Sequence, residues 1–362
     1  MKSTKNPLSL YIHWPFCLSK CPYCDFASIP CPTPDEDALI KGYRRDLALF
    51  AAREETTNRN ITTVFFGGGT PSLMSPRLLE NLLSEVQRYW SLSPDCEITM
   101  EANPDAITRR KMQAFRARGV NRLSLGVQAL NPTDLAFLGR RHTVKTALDR
   151  LTDATAVFPA VNMDLIYARP HQTPDAWTAE LHQALVLNLT HYSLYQLTIE
   201  SDTPFGRSGV RPAGDDRAAT LYRLTDAIMT AAGKPAYEVS NYACPGAECR
   251  HNLTYWRGGD YMGIGPAAHG RLGLTATQNP RRWTDWLTCG PACTPLTPAE
   301  KKTERLLMGL RLRQEWFPAA GLNPQRVQAL VHRGLLESSP AGIRPTQAGT
   351  LVLDSVILDL MD

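Results

Sequence analysis

The chain has no long apolar run. No segment of its 362 residues approaches the roughly 18 consecutive apolar residues of a membrane span. The opening MKSTKNPLSLYIHW carries lysines but no apolar stretch of signal-peptide length. The C-terminal TLVLDSVILDLMD is apolar but broken by Asp354 and Asp359, the pattern of an amphipathic element. The expectation is a cytoplasmic protein, with peripheral attachment to a membrane still compatible. Charge of one sign is also scarce: 39 Lys and Arg against 35 Asp and Glu leave a net +4. Short basic runs such as Arg109-Arg110-Lys111 and Arg140-Arg141 read as solvated helix faces, because a nucleic-acid binder concentrates its basic residues in one patch. No nucleic-acid partner is expected. Nine cysteines, an odd number unevenly clustered, do not make a disulfide scaffold and fit thiols that serve metals or the core. No CxxCH haem-attachment motif is present.

What is present is an alternation. From residue 8 to about 200, short β-rich runs at 9–14, 61–66, 96–102, 122–128, 161–167 and 192–199 are separated by helix-like stretches. In the helix expected over 75–90, Pro76 follows a serine cap, and in the helix over 106–118, Gly119 supplies the stop. Such alternation predicts an α/β fold with a right-handed parallel sheet, six units being short of the eight of a full barrel. Ligands gather at the C-terminal strand ends of such sheets, and there lie Gly67-Gly68-Gly69, Glu101, Gln128 and Asp164. A polar loop over 201–216 and a low-order stretch over 288–300 divide the chain into expected segments 1–200, 201–298 and 299–362. In the last, GLLESSPAGIRPTQAG after a helix suggests a hairpin wing and a small winged-helix-like module.

Cys17, Cys21 and Cys24 stand together in YIHWPFCLSKCPYCDF. Structural zinc takes four ligands, commonly as paired CxxC units. Here the spacing is CxxxCxxC with no second pair, and Pro30 and Pro32 stiffen the approach of Cys31. A 4Fe-4S cube held by three thiolates keeps one iron open for another ligand. Cys244 and Cys249 have no further thiols near them in sequence, and Cys289 and Cys293 read as linker or core thiols.

CxxxCxxC after the first strand and GGGTP after the second resemble the radical S-adenosylmethionine (SAM) superfamily. The resemblance implies a 4Fe-4S cluster whose open iron chelates SAM, with an electron from the cluster cleaving the sulfonium C–S bond to a 5′-deoxyadenosyl radical. A finer resemblance, over about residues 8–360, is to the oxygen-independent coproporphyrinogen oxidase branch. It implies a partial (β/α)6 TIM-like barrel with a C-terminal α+β extension and the small winged module. By motif it places Tyr11 near the cluster and Tyr23 on the nucleoside. The backbone of Gly68, Gly69 and Thr70 falls at the methionine end. Glu101 in EANP, Gln128 in GVQ, Arg140 in LGRRH and Asp164 in MDLIY are the polar contacts, with Thr198 near the sixth strand end. Taken singly, each is an ordinary turn or cap residue, and their joint order carries the argument. The family's glycine after DLIY is absent; Ala168-Arg169-Pro170 stand there instead.

That branch holds a decarboxylase, which oxidises propionates of coproporphyrinogen III, and the HemW-type haem chaperones. The decarboxylase has CxxxCxxCxC, whereas Phe26 occupies the last cysteine position here. HNLTYW at 251–256 matches the HNxxYW of the chaperones. The resemblance therefore implies a protein that binds haem and passes it to an unidentified acceptor protein, the alternative being the oxygen-independent coproporphyrinogen III oxidase. Whether it is an enzyme stays open at this point. Haem is an apolar disc whose iron takes imidazole and whose propionates take cations. His251 is thus expected as axial ligand, Tyr255 and Trp256 as stacking faces, and Arg250 and Arg257 as carboxylate partners.

Overall fold

The computed structural model describes residues 7–361, so the sequence reading of Lys2 and Lys5 lies outside it. Six strands run parallel in chain order: β1 (Leu8–Trp14), β2 (Asn60–Gly68), β3 (Ser91–Ala102), β4 (Arg122–Gln128), β5 (Ala160–Tyr167) and β6 (His191–Gln196). The five crossovers carry α1 (Glu36–Ala51), α2 (Pro76–Tyr89), α3 (Arg109–Arg116), α4 (Val144–Val157) and α5 (Pro174–Leu185). Each begins at a side chain that accepts a backbone N–H of its first turn: Asp35, Ser75, Thr108, Thr143 and Thr173. Pro76 sits in the first turn of α2, as expected. Strands covered on both faces explain the nearly unbroken burial of β1 and β4.

The sheet does not end at β1. After α6 (Asp215–Ala231), the short β7 (Asn241–Ala243) pairs antiparallel with β6. After α7 (Arg250–Trp256), β8 (Tyr261–Ile264) pairs parallel with β1 on the side away from β2. Then β9 (His269–Leu272), β10 (Thr275–Gln278) and β11 (Ala292–Pro295) follow antiparallel and complete an eleven-stranded sheet. The stretch read as low-order over 288–300 therefore contains an edge strand. Its prolines and exposed side chains hid it from a hydrophobic pattern.

The segment after residue 200 shares the main core, since Met262, Ile264, Leu272 and Trp286 pack in the same apolar cluster as the barrel strands. Trp286 is the rivet. Its indole N–H donates to Asp46 Oδ2 at 2.7 Å, and the same oxygen accepts Gly265 N–H at 3.0 Å. A Cβ on Gly42 would lie 2.5 Å from the Trp286 ring, so glycine lets the indole press on α1. The C-terminal module has a separate core built from Leu306, Leu310, Leu330, Ile343, Ile357 and neighbours. It comprises α8 (Pro298–Gly309), α9 (Pro324–His332), the hairpin β12 (Leu336–Ser339) and β13 (Gly342–Pro345), and α10 (Leu353–Met361). The hairpin after α9 is the wing the sequence suggested. Among the described residues no helix is long and apolar enough to cross a membrane.

The loop after β5 resolves the departure from the family glycine. Ala168 adopts φ +57°, the conformation a glycine would take without strain, and is buried. Arg169 beside it is buried in ion pairs with Glu180 and with Asp134, which hold the turn. Replacing Ala168 by Gly relieves a left-handed alanine, so Ala168→Gly is expected to raise stability by about 1 kcal/mol. A shift of the urea unfolding midpoint measures it, and a lower midpoint would contradict the strain.

Candidate functional site

Alternate residues of the parallel strands point into one cavity of about 510 Å³. Its wall includes Tyr11, Thr99, Glu101, Ser124, Gln128, Asn162, Asp164 and Ser193, and its mouth holds Cys17, Cys21 and Cys24. The thiol loop leaves β1 directly and is closed at its base. Phe16-Cys17 pair in parallel with Ile29-Pro30, and Cys31 N–H donates to Cys17 O at 2.9 Å. Cys24 N–H donates to Cys21 O at 3.1 Å, a tight turn that brings the last two thiols together. Burial pushes the Cys17 and Cys24 thiols up, and the Cys21 thiol adds to the rise of both. Holding all three as thiolates therefore calls for positive charge beside them. Arg140 supplies part of it, with Nη1 3.4 Å from Cys21 Sγ.

Among the described residues no three His, Cys, Asp or Glu side chains converge as a single-ion site would require. A cube gives each thiolate its own iron. Three thiols that face one cavity without converging suit that geometry, and Cys31 does not line the cavity.

The glycine run has a reason the sequence could not show. A Cβ on Gly69 would lie 2.6 Å from Phe16 O and 3.0 Å from Cys17 Sγ. Gly68 has φ +111°, and a Cβ there would lie 2.6 Å from His13 Cε1. These glycines let the second strand end nest against the thiol loop. Thr70 lies beneath Cys17, its N–H donating to Phe16 O at 2.8 Å and its hydroxyl accepting from Asn103 Nδ2 at 2.9 Å.

Among the described residues neither Glu101 nor Asp164 has a salt-bridge partner, although the Arg140 charge acts on Asp164. Glu101 accepts Gly68 N–H at 3.1 Å, and desolvation together with the charge of Asp164 pushes its carboxyl up to about 8. Asp164 is also raised by burial, against hydrogen bonds from Ser124 Oγ (3.1 Å) and Asn162 Nδ2 (2.6 Å). Arg140 does not pair with either; its Nη2 donates to Asn103 Oδ1 (2.6 Å) and Gly126 O (2.7 Å), and its buried Nε has no partner. Gln128 takes φ +73° at a register shift between β4 and β5, which turns it into the cavity. Tyr23 packs on Leu138, Ile166 and Leu197 at the cavity wall, and Thr198 lies just beyond β6 on the same wall. Residues not singled out from sequence are Asn103, Ser124, Asn162 and Ser193. Their signal was there: polar side chains at alternate positions of otherwise apolar strands, with Asn103 one residue past the end of β3.

HNLTYW forms α7, against the barrel interior. The expectation of a free imidazole at His251 is not met. His251 is 1% exposed, Nδ1 is bonded to Thr63 Oγ1 at 2.7 Å and Nε2 to Tyr255 Oη at 2.6 Å. Its ring stacks on Phe65, 5.0 Å between centroids, and burial pulls its pKa down to about 3. The motif works here as a packing hub. Arg250 and Arg257 are likewise engaged, with Asp95 (3.0 Å) and Glu315 (2.6 Å). Tyr255 and Trp256 do reach a second cleft of about 490 Å³, which shares Tyr11, Asp25, Phe26, Gly68, Glu101 and Tyr255 with the first cavity.

A parallel half-barrel with a three-thiol loop after its first strand is the architecture of the radical SAM class, and residues 11–183 match the family described as "Radical SAM superfamily". The fold superposes with TM-score 0.82 on coproporphyrinogen III oxidase (HemN) from Escherichia coli, described as a radical SAM enzyme, at 22% identity over 99% of this chain and 91% of that one. At the level of sequence, the chain is 37% identical over 379 residues to heme chaperone HemW of Mycobacterium tuberculosis (strain ATCC 25618 / H37Rv), covering 98% of this chain and 95% of that protein. It is also 37% identical over 388 residues to the Bos taurus protein named radical S-adenosyl methionine domain-containing protein 1, mitochondrial, covering 98% and 87%. The chain belongs to the HemW family of the radical SAM superfamily. Membership implies a 4Fe-4S cluster and SAM, and the residues fit both: three thiols for a cube, and on the wall of the same cavity two buried carboxylates that have no salt-bridge partner among the described residues.

Two outcomes follow from this geometry. Gly69→Ala forces its methyl into the thiol loop, at a cost of about 1–3 kcal/mol. Iron bound per chain after anaerobic reconstitution should fall, with unchanged far-ultraviolet circular dichroism, and full loading would contradict the contact. The Glu101 carboxyl rises from an ordinary 4.5 to about 8 on folding. A raised folded value means stability present at low pH and lost as pH climbs through that range. In the cofactor-free protein, Glu101→Gln should gain stability over wild type progressively between pH 5 and pH 8; a pH-independent difference in melting temperature would contradict it.

Proposed function

We propose that the protein is a haem chaperone, which binds haem and transfers it to an acceptor protein while carrying one 4Fe-4S cluster and SAM. The observation that carries this reading is Phe26: it stands where the decarboxylase of the branch has its fourth cysteine, and it is 56% exposed on the rim between the two cavities. An exposed aromatic there offers a flat apolar surface to a porphyrin and no thiolate to a metal. The names of the HemW relatives support the same reading.

In this reading Cys17, Cys21 and Cys24 hold the cluster, and SAM takes the open iron. When bound, the cluster supplies one electron and SAM the sulfonium bond that an electron can cleave. Tyr11 walls the space beside the cluster, Tyr23 offers its ring to the nucleoside, and Gly68, Gly69 and Thr70 shape the methionine end. Glu101, Asp164, Gln128 and Thr198 face the amine and the ribose hydroxyls. Arg140 steadies the Cys21 thiolate. Tyr255 and Trp256 supply the aromatic side of the haem cleft. Segments 1–200, 201–298 and 299–362 would serve respectively as cofactor barrel, haem-facing extension and a small module for the acceptor. We place the protein in the cytoplasm.

The fold of the oxidase favours oxidative decarboxylation of coproporphyrinogen III as the second reading. Anaerobic reconstitution with iron, sulfide and haem quantified together separates the two. The expected outcome is cluster and tight haem binding without protoporphyrinogen formed from coproporphyrinogen III and SAM, and with iron lost in Cys21→Ser. Robust protoporphyrinogen formation would refute the chaperone reading.

A further inference from the structure

Haem iron asks for a ligand with a free lone pair. Four histidines line the two cavities, and three have spent both ring nitrogens on hydrogen bonds. His13 bonds Tyr11 Oη (2.9 Å) and Ala27 O (3.0 Å); His191 bonds Asn162 Oδ1 (2.6 Å) and Tyr237 Oη (2.9 Å); His251 is tied to Thr63 and Tyr255 as described. The fourth is His269. It opens β9, where its backbone pairs with Gln278, lines the second cleft with part of its ring open to solvent, and that ring has no hydrogen-bond partner among the described residues. Burial of the ring, and then the neighbouring Arg271 charge, pull its pKa down, so at neutral pH the imidazole is in the ligating form.

The rest of the cleft offers aromatic surface to a flat disc and one cation, Arg281, at its edge, with Asp25 and Glu101 on the wall it shares with the first cavity. Phe26, Trp256 and Tyr261 bring aromatic surface to it, and Met308 adds a thioether. The indole N–H of Trp256 is buried and has no partner in the fold. Arg281 is exposed at the same cleft and among the described residues bonds only a carbonyl, Asp25 O at 3.3 Å, leaving its charge for a carboxylate. A volume of about 490 Å³ lies in the range of cofactor sites.

We infer that haem rests in this second cleft, with His269 as its axial ligand and Arg281 facing a propionate. The inference rests on the chaperone reading and assigns the ligand within it. Because Tyr11, Glu101 and Gly68 belong to both cavities, the porphyrin edge then shares a wall with the SAM cavity.

The test is a haem titration of the full reconstituted chain, followed by optical and electron paramagnetic resonance spectra, on wild type, His269→Gly and His269→Gln. Wild type should bind with a histidine-ligated spectrum, and both variants should bind about tenfold or more weakly. Added imidazole should restore the wild-type spectrum in His269→Gly, which a merely structural role would not produce. Haem binding with unchanged affinity and spectrum in both variants overturns the assignment of His269 and leaves the chaperone reading standing. A wild-type chain that binds no haem overturns both.

Discussion

Two backbone hydrogen bonds, Gly69 N–H to Trp14 O (2.7 Å) and Thr70 N–H to Phe16 O (2.8 Å), fasten the thiol loop to the end of the second strand. The remaining features of the site depend on that clasp. It continues the β1–β2 ladder past the strand ends, and it closes because Gly69 at the contact carries no side chain beyond a hydrogen. Once closed, it fixes Cys17 over Thr70, places Cys21 within reach of Arg140, and leaves Gly68 N–H free to hold Glu101. A cluster loop, a cation beside it and the nearest carboxylate are thereby set by one backbone contact.

Electrostatics then define what the cavity will accept. Glu101 and Asp164 are desolvated, Glu101 is raised further by the charge of Asp164, and among the described residues neither has a salt-bridge partner, although the charges of Arg140 and Arg122 act on Asp164. Water in the open cavity solvates such a pair poorly, whereas a cationic ligand neutralises it. The lumen therefore selects positive charge. The second cleft combines aromatic surface inside with Arg281 at its edge, while sharing the Asp25 and Glu101 wall with the first cavity.

The six parallel strands were legible because both of their faces are buried, so each reads as a short β-branched run between capped helices. The site was legible as well, since C-terminal strand ends are where this architecture puts its polar residues, and Cys17, Cys21, Cys24, Glu101, Gln128 and Asp164 all line one cavity. What failed depended on distant pairing. β8 and β11 have too few residues to announce themselves, and only their partners make them strands. His251 looked like a ligand in the isolated motif, and only its bonds to Thr63, 188 positions away, and to Tyr255 show that both ring nitrogens are engaged. His269, with no motif around it, gave no signal, because a free imidazole is recognised by what it does not touch.

The pairing of β1 with β8 joins Ser9 to Tyr261 and bears on how the protein is made. Strand β1 has a neighbour on one side as soon as β2 exists, but its other edge stays bare until the chain has been synthesised past residue 264. An unpaired edge in a growing chain is a site for wrong association. The thiol loop hangs from that same strand, so it reaches its final support late in translation. A chain released early would present the thiols on a strand still missing its second partner.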